Sequence, residues 1–384
     1  MTINRSTYIV GDVRDCLAAT PDGSVDLVMT SPPFLALRSY LPADHPDKHR
    51  EIGAEPDPAT FLDTLLSLTA EWRRVLAPHG SICVELGDTY AGAGGGSGWP
   101  LPKSLCGIPH LYHLSLAYGR NLLTGEESPA GRWRVRNVVA WCRPNPPVGA
   151  LGDKFRPATS YMTIATPYGK RFFDLDAVRT PGENAATRRV GAKSGASHLT
   201  PRERGDVRPG EHPAGAPPLD YWVIPPAPYS GSHYAVYPPA LVERPIKSMV
   251  PHKVCTVCGE PSRRGQRTYE PDGSGGGAST KRDAREPEGN SRGINGGPRM
   301  KVVPSDSWSD CGHDSWRNGI VLDPFAGSGT TLMVANELER DAVGFDIDAR
   351  NATLARQRVD KFMFADFEVY PLSLLGFLAP QIRL

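Results

Sequence analysis

Hydrophobic and polar positions along the chain alternate between two rhythms. Short apolar runs recur, each ending on a polar or acidic residue: Tyr8-Ile9-Val10 before Gly11-Asp12, Val25 to Met29 before Thr30-Ser31, and Ile82 to Leu86 before Gly87-Asp88. Near the far end, Val321-Leu322 runs into Asp323, and Asp341 to Phe345 into Asp346. Between the runs lie helical stretches. Residues 13–19 form a brief one, and in residues 58–76 Phe61, Leu65, Leu68, Trp72 and Val75 recur at spacings of four and three, which predicts an amphipathic helix. Pro78-His79-Gly80 is expected to stop it. Past the loop at 323–330, Thr331, Val334, Ala335 and Leu338 share a helical face. Strands alternating with helices predict an α/β fold with a doubly wound, mostly parallel sheet. Such sheets bind ligands at the carboxyl ends of their strands. One aspartate at a strand end is usually a cap or turn former. Asp12, Ser31, Asp88, Asp323 and Asp346 together, beside a glycine loop, point to a shared cleft.

Further strands are expected over 135–142, 161–166 and 221–224, with a short helix over 241–248. Composition places the rest in loops: 40 glycines and 38 prolines in 384 residues are well above average usage. Residues 91–98 are nearly all small, 180–218 are rich in Gly, Pro, Ala and Arg, and 271–299 in Gly, Ser and Arg. A hydrophobic content of 39% and charged content of 22% fit a soluble globular protein. The net charge of +1 announces no nucleic-acid partner, yet it conceals local basic clusters at Arg188, Arg189, Arg202 and Arg204 and from Arg263 to Arg299. Absence of an apolar leader or a membrane-length run makes a cytoplasmic protein without membrane contact the expectation.

Candidate chemistry begins at Asp323-Pro324-Phe325-Ala326-Gly327-Ser328-Gly329-Thr330-Thr331. Glycines at a strand-to-helix turn admit a ligand close to the backbone, and the helix start directs N–H groups at it. The loop lacks the Gly-Lys-Ser/Thr ending of a P-loop, and Leu332 stands where a dinucleotide fingerprint has its third glycine. Asp346, roughly twenty residues on, is placed to take a ribose diol. A nucleoside-bearing cofactor without a pyrophosphate suits this pair. Seven cysteines in a chain without a leader argue against a disulfide framework. Cys255 and Cys258 form one C-x-x-C, and Cys311 with His313 a second pair; together they could hold a structural tetrahedral zinc at the base of an insertion, or be two unrelated surface pairs.

Thr30-Ser31-Pro32-Pro33-Phe34 is the other informative stretch, with paired prolines stiffening the turn after a strand and an aromatic residue at its rim. Taken alone it could be a strand terminator with a core phenylalanine. With the glycine loop, Gly344-Phe-Asp-Ile-Asp348, the stretch from Val135 to Gly149 and that from Ser230 to Ile246, the chain resembles the beta group of S-adenosylmethionine-dependent amino-methyltransferases of DNA, in which the catalytic motif precedes the cofactor loop. This resemblance covers most of the chain outside the two loop-rich excursions. It implies a Rossmann-like methyltransferase sheet in permuted order, whose strands beside Asp346 come from the N-terminal end.

By position, the resemblance implies a catalytic motif of Ser31, Pro32, Pro33 and Phe34. The Ser31 hydroxyl and the Pro32 carbonyl would accept the two protons of a base amine, freeing its lone pair, while Phe34 stacks on a flipped base. Cofactor contacts are expected from Asp12, Asp323 through Thr330, Asp346 and His233. Serine at the first motif position favours cytosine N4, with adenine N6 as the alternative. The implied division is 1–180 and 319–384 as the catalytic and cofactor-binding halves, 219–250 as a return to the core, 181–218 as a basic target-recognition insertion, and 251–318 as an insertion carrying the candidate zinc site. Double-stranded DNA is the expected partner and a restriction endonuclease a candidate one; monomer and homodimer both fit. An RNA or small-molecule methyltransferase, or a catalytically silent zinc-stapled DNA-binding protein, are the competing readings.

Overall fold

Val25–Thr30 is buried at every position, which on an alternating strand means that both faces of its sheet are covered. In the computed structural model, which describes residues 4–92, 96–146, 152–180, 216–226, 236–265, 268–271, 300–303, 307–359 and 365–374, this strand lies near the middle of a nine-stranded sheet. The elements in chain order are β1 (Asn4–Val10), α1 (Val13–Ala19), β2 (Val25–Thr30), α2 (Pro58–Val75), β3 (Leu76–Leu86), α3 (Ile108–Tyr118), β4 (Arg134–Cys142), β5 (Thr159–Thr166), β6 (Tyr221–Val223) and α4 (Pro239–Met249). There follow β7 (Lys253–Cys255), β8 (Thr268–Pro271), β9 (Met300–Val303), β10 (Trp316–Asn318), β11 (Ile320–Asp323), α5 (Thr330–Glu337), β12 (Asp341–Asp346), α6 (Ala349–Val359) and β13 (Ala365–Pro371).

The sheet order is β13-β1-β12-β11-β2-β3-β5-β4-β6. Strands from β13 to β3 are parallel, β5 is antiparallel to both its neighbours, and β6 runs parallel with β4. The expected permutation is therefore present: β1 pairs with β12, and β11 with β2. Parallel pairing brings the ends of β1, β2, β11 and β12 to one edge.

Two apolar layers cover the sheet. Phe61, Leu65, Leu68 and Trp72 of α2 pack on one face with Ile9, Val28 and Val84, and Leu241, Val242 and Ile246 of α4 pack on the other with Leu27, Met29 and Leu332. Asp57 caps α2, accepting the Thr60 N–H at 2.9 Å, with Pro58 at the first position. Pro78-His79-Gly80 does not end this helix, as expected from sequence, but lies inside β3, because the chain reverses into the sheet already at Leu76.

A buried ion pair anchors the lower edge. Asp26 on β2 accepts from Arg317 Nη1 at 2.6 Å and Nη2 at 3.0 Å, from the Ile320 N–H at 2.7 Å, and lies 2.8 Å from His79 Nε2. Burial alone would push this carboxyl up, but Arg317 and His79 outweigh it and hold it down at about 2.

The chain divides into two compact units, one of Met1–Ala177, Leu219–Ser262 and Asp310–Leu384, the other of Val178–Pro218 and Arg263–Ser309. Within the second, Thr180 pairs with Ala216, Arg264 with Trp308, and β8 with β9. Among the described residues no helix is long and apolar enough to cross a membrane.

Candidate active site

A cavity of about 450 Å³ opens at the carboxyl edge of the sheet, within the first unit. Its walls include Asp12 after β1, Asp346 ending β12, Pro324, Phe325, Ala326, Gly327, Ser328 and Thr330 after β11, and Ser31, Pro32, Pro33 and Phe34 after β2. The sequence-predicted catalytic motif and glycine loop thus meet at one cavity.

The loop is shaped by backbone constraints. Gly327 and Gly329 have φ of 50° and 76°, left-handed values that favour glycine, and Gly329 precedes α5. The Gly327 N–H is held by Asp346 Oδ2 at 2.9 Å and its carbonyl by the Tyr8 hydroxyl at 2.8 Å, so β12 and β1 both fix the turn. Asp346 also accepts the Asp348 N–H at 2.8 Å and the Asn351 amide at 3.2 Å. Burial raises its carboxyl to about 6 against these donors.

Two of the expected cofactor residues lie beneath the wall. Asp323 is fully buried and accepts from Thr30 Oγ1 at 2.7 Å, Thr331 Oγ1 at 2.5 Å, the Tyr237 hydroxyl at 2.8 Å and the Phe325 N–H at 3.1 Å. Four donors saturate it, so it ties the residue before Ser31 to the glycine loop rather than facing the cavity. Gly329 sits against Ala355 of α6, whose Cβ would be 2.8 Å from an added side chain. Asp88 also stands apart from the expected cleft: it accepts the Gly107 and Ile108 N–H groups at the start of α3. Asp12 caps α1 through the Arg14 N–H at 2.9 Å and pairs with Arg14 and Arg50 at 3.0 and 3.1 Å, while still lining the cavity.

Ser31 has a partner that the sequence pattern did not disclose. Its hydroxyl donates to Glu85 Oε2 at 2.6 Å, and Glu85 is a buried carboxylate on β3, 3% exposed. Ser160 also donates to Glu85, and Arg143, stacked on Trp141, reaches Ser160 at 3.1 Å. Burial pushes the Glu85 carboxyl up, more than Ser160, Ser31 and Arg143 pull it down. The clue in sequence was an acid inside the apolar run Ile82 to Leu86. Tyr237 was equally hidden; burial and Asp323 raise its hydroxyl well above the usual tyrosine range, so it remains a donor to Asp323. Phe34 packs its ring over Gly87, where a Cβ would lie 2.6 Å away, and keeps one side on the cavity.

The family model described as DNA methylase matches residues 25–253 and 312–357. The chain belongs to that family. Among curated DNA methylase relatives, the type II methyltransferase M.SfiI of Streptomyces fimbriatus is 30% identical over 194 residues, 48% of this chain and 42% of that protein. M.SmaI of Serratia marcescens is 23% identical over 372 residues, spanning 91% of this chain and 89% of the relative. Among solved structures, the PvuII DNA methyltransferase, described as cytosine-N4-specific, superposes with a TM-score of 0.51 at 16% identity, covering 100% of this chain and 94% of that one. That likeness supports the methyltransferase fold.

Of the remaining sequence-predicted residues, Cys255, Cys258, Cys311 and His313 converge with their ligand atoms within 4.8 Å of one another. His233 and the basic residues Arg188, Arg189, Arg202 and Arg204 lie outside the described residues.

Proposed function

We propose that this DNA methylase transfers a methyl group from S-adenosylmethionine to the exocyclic amine of a base flipped from duplex DNA, with cytosine N4 as the target. The observation that carries this reading is the convergence of Ser31, hydrogen-bonded to buried Glu85, with the glycine loop on one cavity.

The cavity suits the cofactor. Its volume falls in the range of small-molecule sites, its walls offer the apolar surface of Phe325, Ile347 and Ile52, and Asp346 supplies a carboxylate for ribose hydroxyls. Gly327, Ser328, Asp12 and Arg50 line it as well. When bound, S-adenosylmethionine would supply an electrophilic sulfonium methyl for the amine's lone pair, the sulfur keeping the bonding electrons and one amine proton being released to solvent.

The protein's part is to prepare the amine. Its lone pair is delocalised into the ring, so hydrogen bonds from its protons to fixed acceptors localise electrons on nitrogen. Ser31 Oγ accepts one such bond and the Pro32 carbonyl the other. Because the Ser31 O–H already points at Glu85, its lone pairs are left for the amine, and the carboxylate strengthens them as acceptors. Phe34 and Trp141 give the base apolar faces to rest against. A serine linked to a carboxylate, in place of a carboxylate itself, supports cytosine over adenine, in line with the cytosine-N4 specificity by which the PvuII enzyme is described. The basic insertion 181–218 is read as the part that contacts the DNA target, on the strength of its arginines.

The test is labelled methyl transfer to plasmid DNA followed by nucleoside analysis. N4-methylcytosine is expected; N6-methyladenine would overturn the choice of base, and no transfer at all would overturn the activity. Ser31→Ala is expected to abolish transfer while retaining cofactor binding.

A further inference from the structure

The cluster of Cys255, Cys258, Cys311 and His313 plays no part in the chemistry above and is built like a metal site. Cys255 ends β7 and is buried, while the next residues turn back so that the Val257 and Cys258 N–H groups point at Cys255 Sγ, 3.4 and 3.5 Å away. The turn closes with the Gly259 N–H on the Cys255 carbonyl at 3.0 Å, and Gly259 has φ of 74°. Amide hydrogens aimed at a sulfur stabilise a thiolate, the form that ligates a metal. The second pair comes from a separate turn, where Gly312, with φ of 78°, donates to Asp310 Oδ1 at 2.7 Å. That turn presents His313 Nδ1 3.5 Å from Cys255 Sγ and 3.4 Å from Cys311 Sγ.

These distances fit a metal site. For zinc bonds of ~2.3 Å to sulfur and ~2.0 Å to nitrogen, the sulfur–nitrogen edge of a tetrahedron is about 3.5 Å. Both separations from His313 match that edge. The cysteines themselves are free rather than joined in a disulfide.

We propose that Cys255, Cys258, Cys311 and His313 bind one Zn²⁺ in a closed S₃N site that fastens β7 to β10 and so positions Arg317 beneath the sheet. Four protein ligands leave no open coordination position, so the ion is structural. The clasp lies where the two strands leave their pairing: Cys255 is opposite Trp316, Val254 opposite Arg317, and Thr256 bonds across the junction with Ser315. Gly319 alone separates β10 from β11, so whatever fixes β10 fixes the approach to Asp323. Arg317, one residue beyond the last clasped pair, carries the charge that neutralises Asp26. The metal therefore closes the long loop between Cys258 and Cys311 at its neck, adding to the three-residue β7–β10 pair and to the Arg264–Trp308 bridge.

The experiment is metal analysis of the full-length chain, purified without a metal-affinity step, together with cobalt substitution. One equivalent of zinc per chain is expected, with a cobalt derivative showing the intense visible bands of tetrahedral thiolate coordination. Cys311→Ala should lose most of the metal, and His313→Cys should retain it with a shifted cobalt spectrum. Thiol titration should find the three cysteines protected until a chelator is added, and chelation should lower the melting temperature. A metal-free wild-type chain whose added cobalt gives only the weak bands of the hydrated ion would overturn the proposal, as would a Cys255–Cys258 or Cys255–Cys311 disulfide. These wild-type measurements decide the matter even where a variant fails to fold, and none depends on methyl transfer.

Discussion

Replacing Glu85 by glutamine separates preparation of the amine from binding. Glu85 receives two hydroxyl donors, Ser31 at 2.6 Å and Ser160. Glutamine has one acceptor oxygen to offer, so its amide hydrogens must meet the second hydroxyl. Either Ser31 loses its acceptor or its oxygen is occupied by a new donor. A hydrogen bond to a charged group contributes about 1.5–3 kcal/mol. With tenfold in rate per 1.36 kcal/mol, Glu85→Gln should slow methyl transfer by about 10–150-fold. The assay is single-turnover transfer of labelled methyl to duplex DNA with enzyme in excess, paired with calorimetric measurement of S-adenosylmethionine affinity, which should not change. Since burial raises the folded carboxyl above its ordinary value of 4.5, its charge is lost on acidification earlier than an exposed glutamate's. Wild type should show an acid limb that the glutamine variant lacks. The stability effect runs the other way. A carboxyl that holds its proton more tightly when folded destabilises the fold as pH rises through its folded value, so wild-type stability should fall across that range while that of Glu85→Gln stays flat. Transfer within twofold of wild type would refute the role given to Glu85.

Other outcomes can be checked directly. Asp26→Asn should cost about 3–5 kcal/mol in urea unfolding by leaving Arg317 buried without its counter-charge. Because the Asp26 carboxyl is held at about 2, below its unfolded value of 3.8, its contribution is present above that value and disappears as pH falls through about 2. Asp346, raised to about 6, should make cofactor affinity rise with pH across that value, since ribose hydroxyls donate to the ionised form; Asp346→Asn should bind more weakly by about 1.5–3 kcal/mol and lose the pH dependence. Gly344→Ala would place a methyl 2.7 Å from Ala326 and 2.9 Å from Leu332, so it should weaken cofactor binding through about 1–3 kcal/mol of overpacking while circular dichroism reports an intact fold.

Periodicity made most of the sheet legible. Runs such as Val25 to Met29 and Val321-Leu322 are buried on both faces and leave an unbroken apolar trace, and α2 declared itself through Phe61, Leu65, Leu68 and Trp72. Where the pattern misled, chain direction was at stake: nothing in Pro78-His79-Gly80 tells a helix terminator from the start of a long strand. The site was legible as two motifs, but the division of labour among acids was not. Asp323 and Asp346 occupy equivalent ends of neighbouring strands, and only the crowd of donors around Asp323 shows that it faces inward. Glu85 was hidden because a carboxylate inside a strand acquires its meaning from a residue 54 positions away. The four metal-ligand candidates were visible as spaced Cys and His residues, whereas their convergence required β7 to pair with β10.

The hydrogen bond between Thr30 and Asp323 joins residues 293 positions apart. At ribosomal rates of about 5–20 residues per second, Thr30 is made on the order of 15–60 s before its partner. Through that interval β2 carries an apolar edge whose eventual neighbour does not yet exist, and β1 waits likewise for β12. The motif assigned to the base amine is thus synthesised well before β11 and β12, the strands that complete the cofactor pocket. Until β11 and β12 are made, the unpaired edges of β1 and β2 are open to mispairing and the cofactor pocket cannot form.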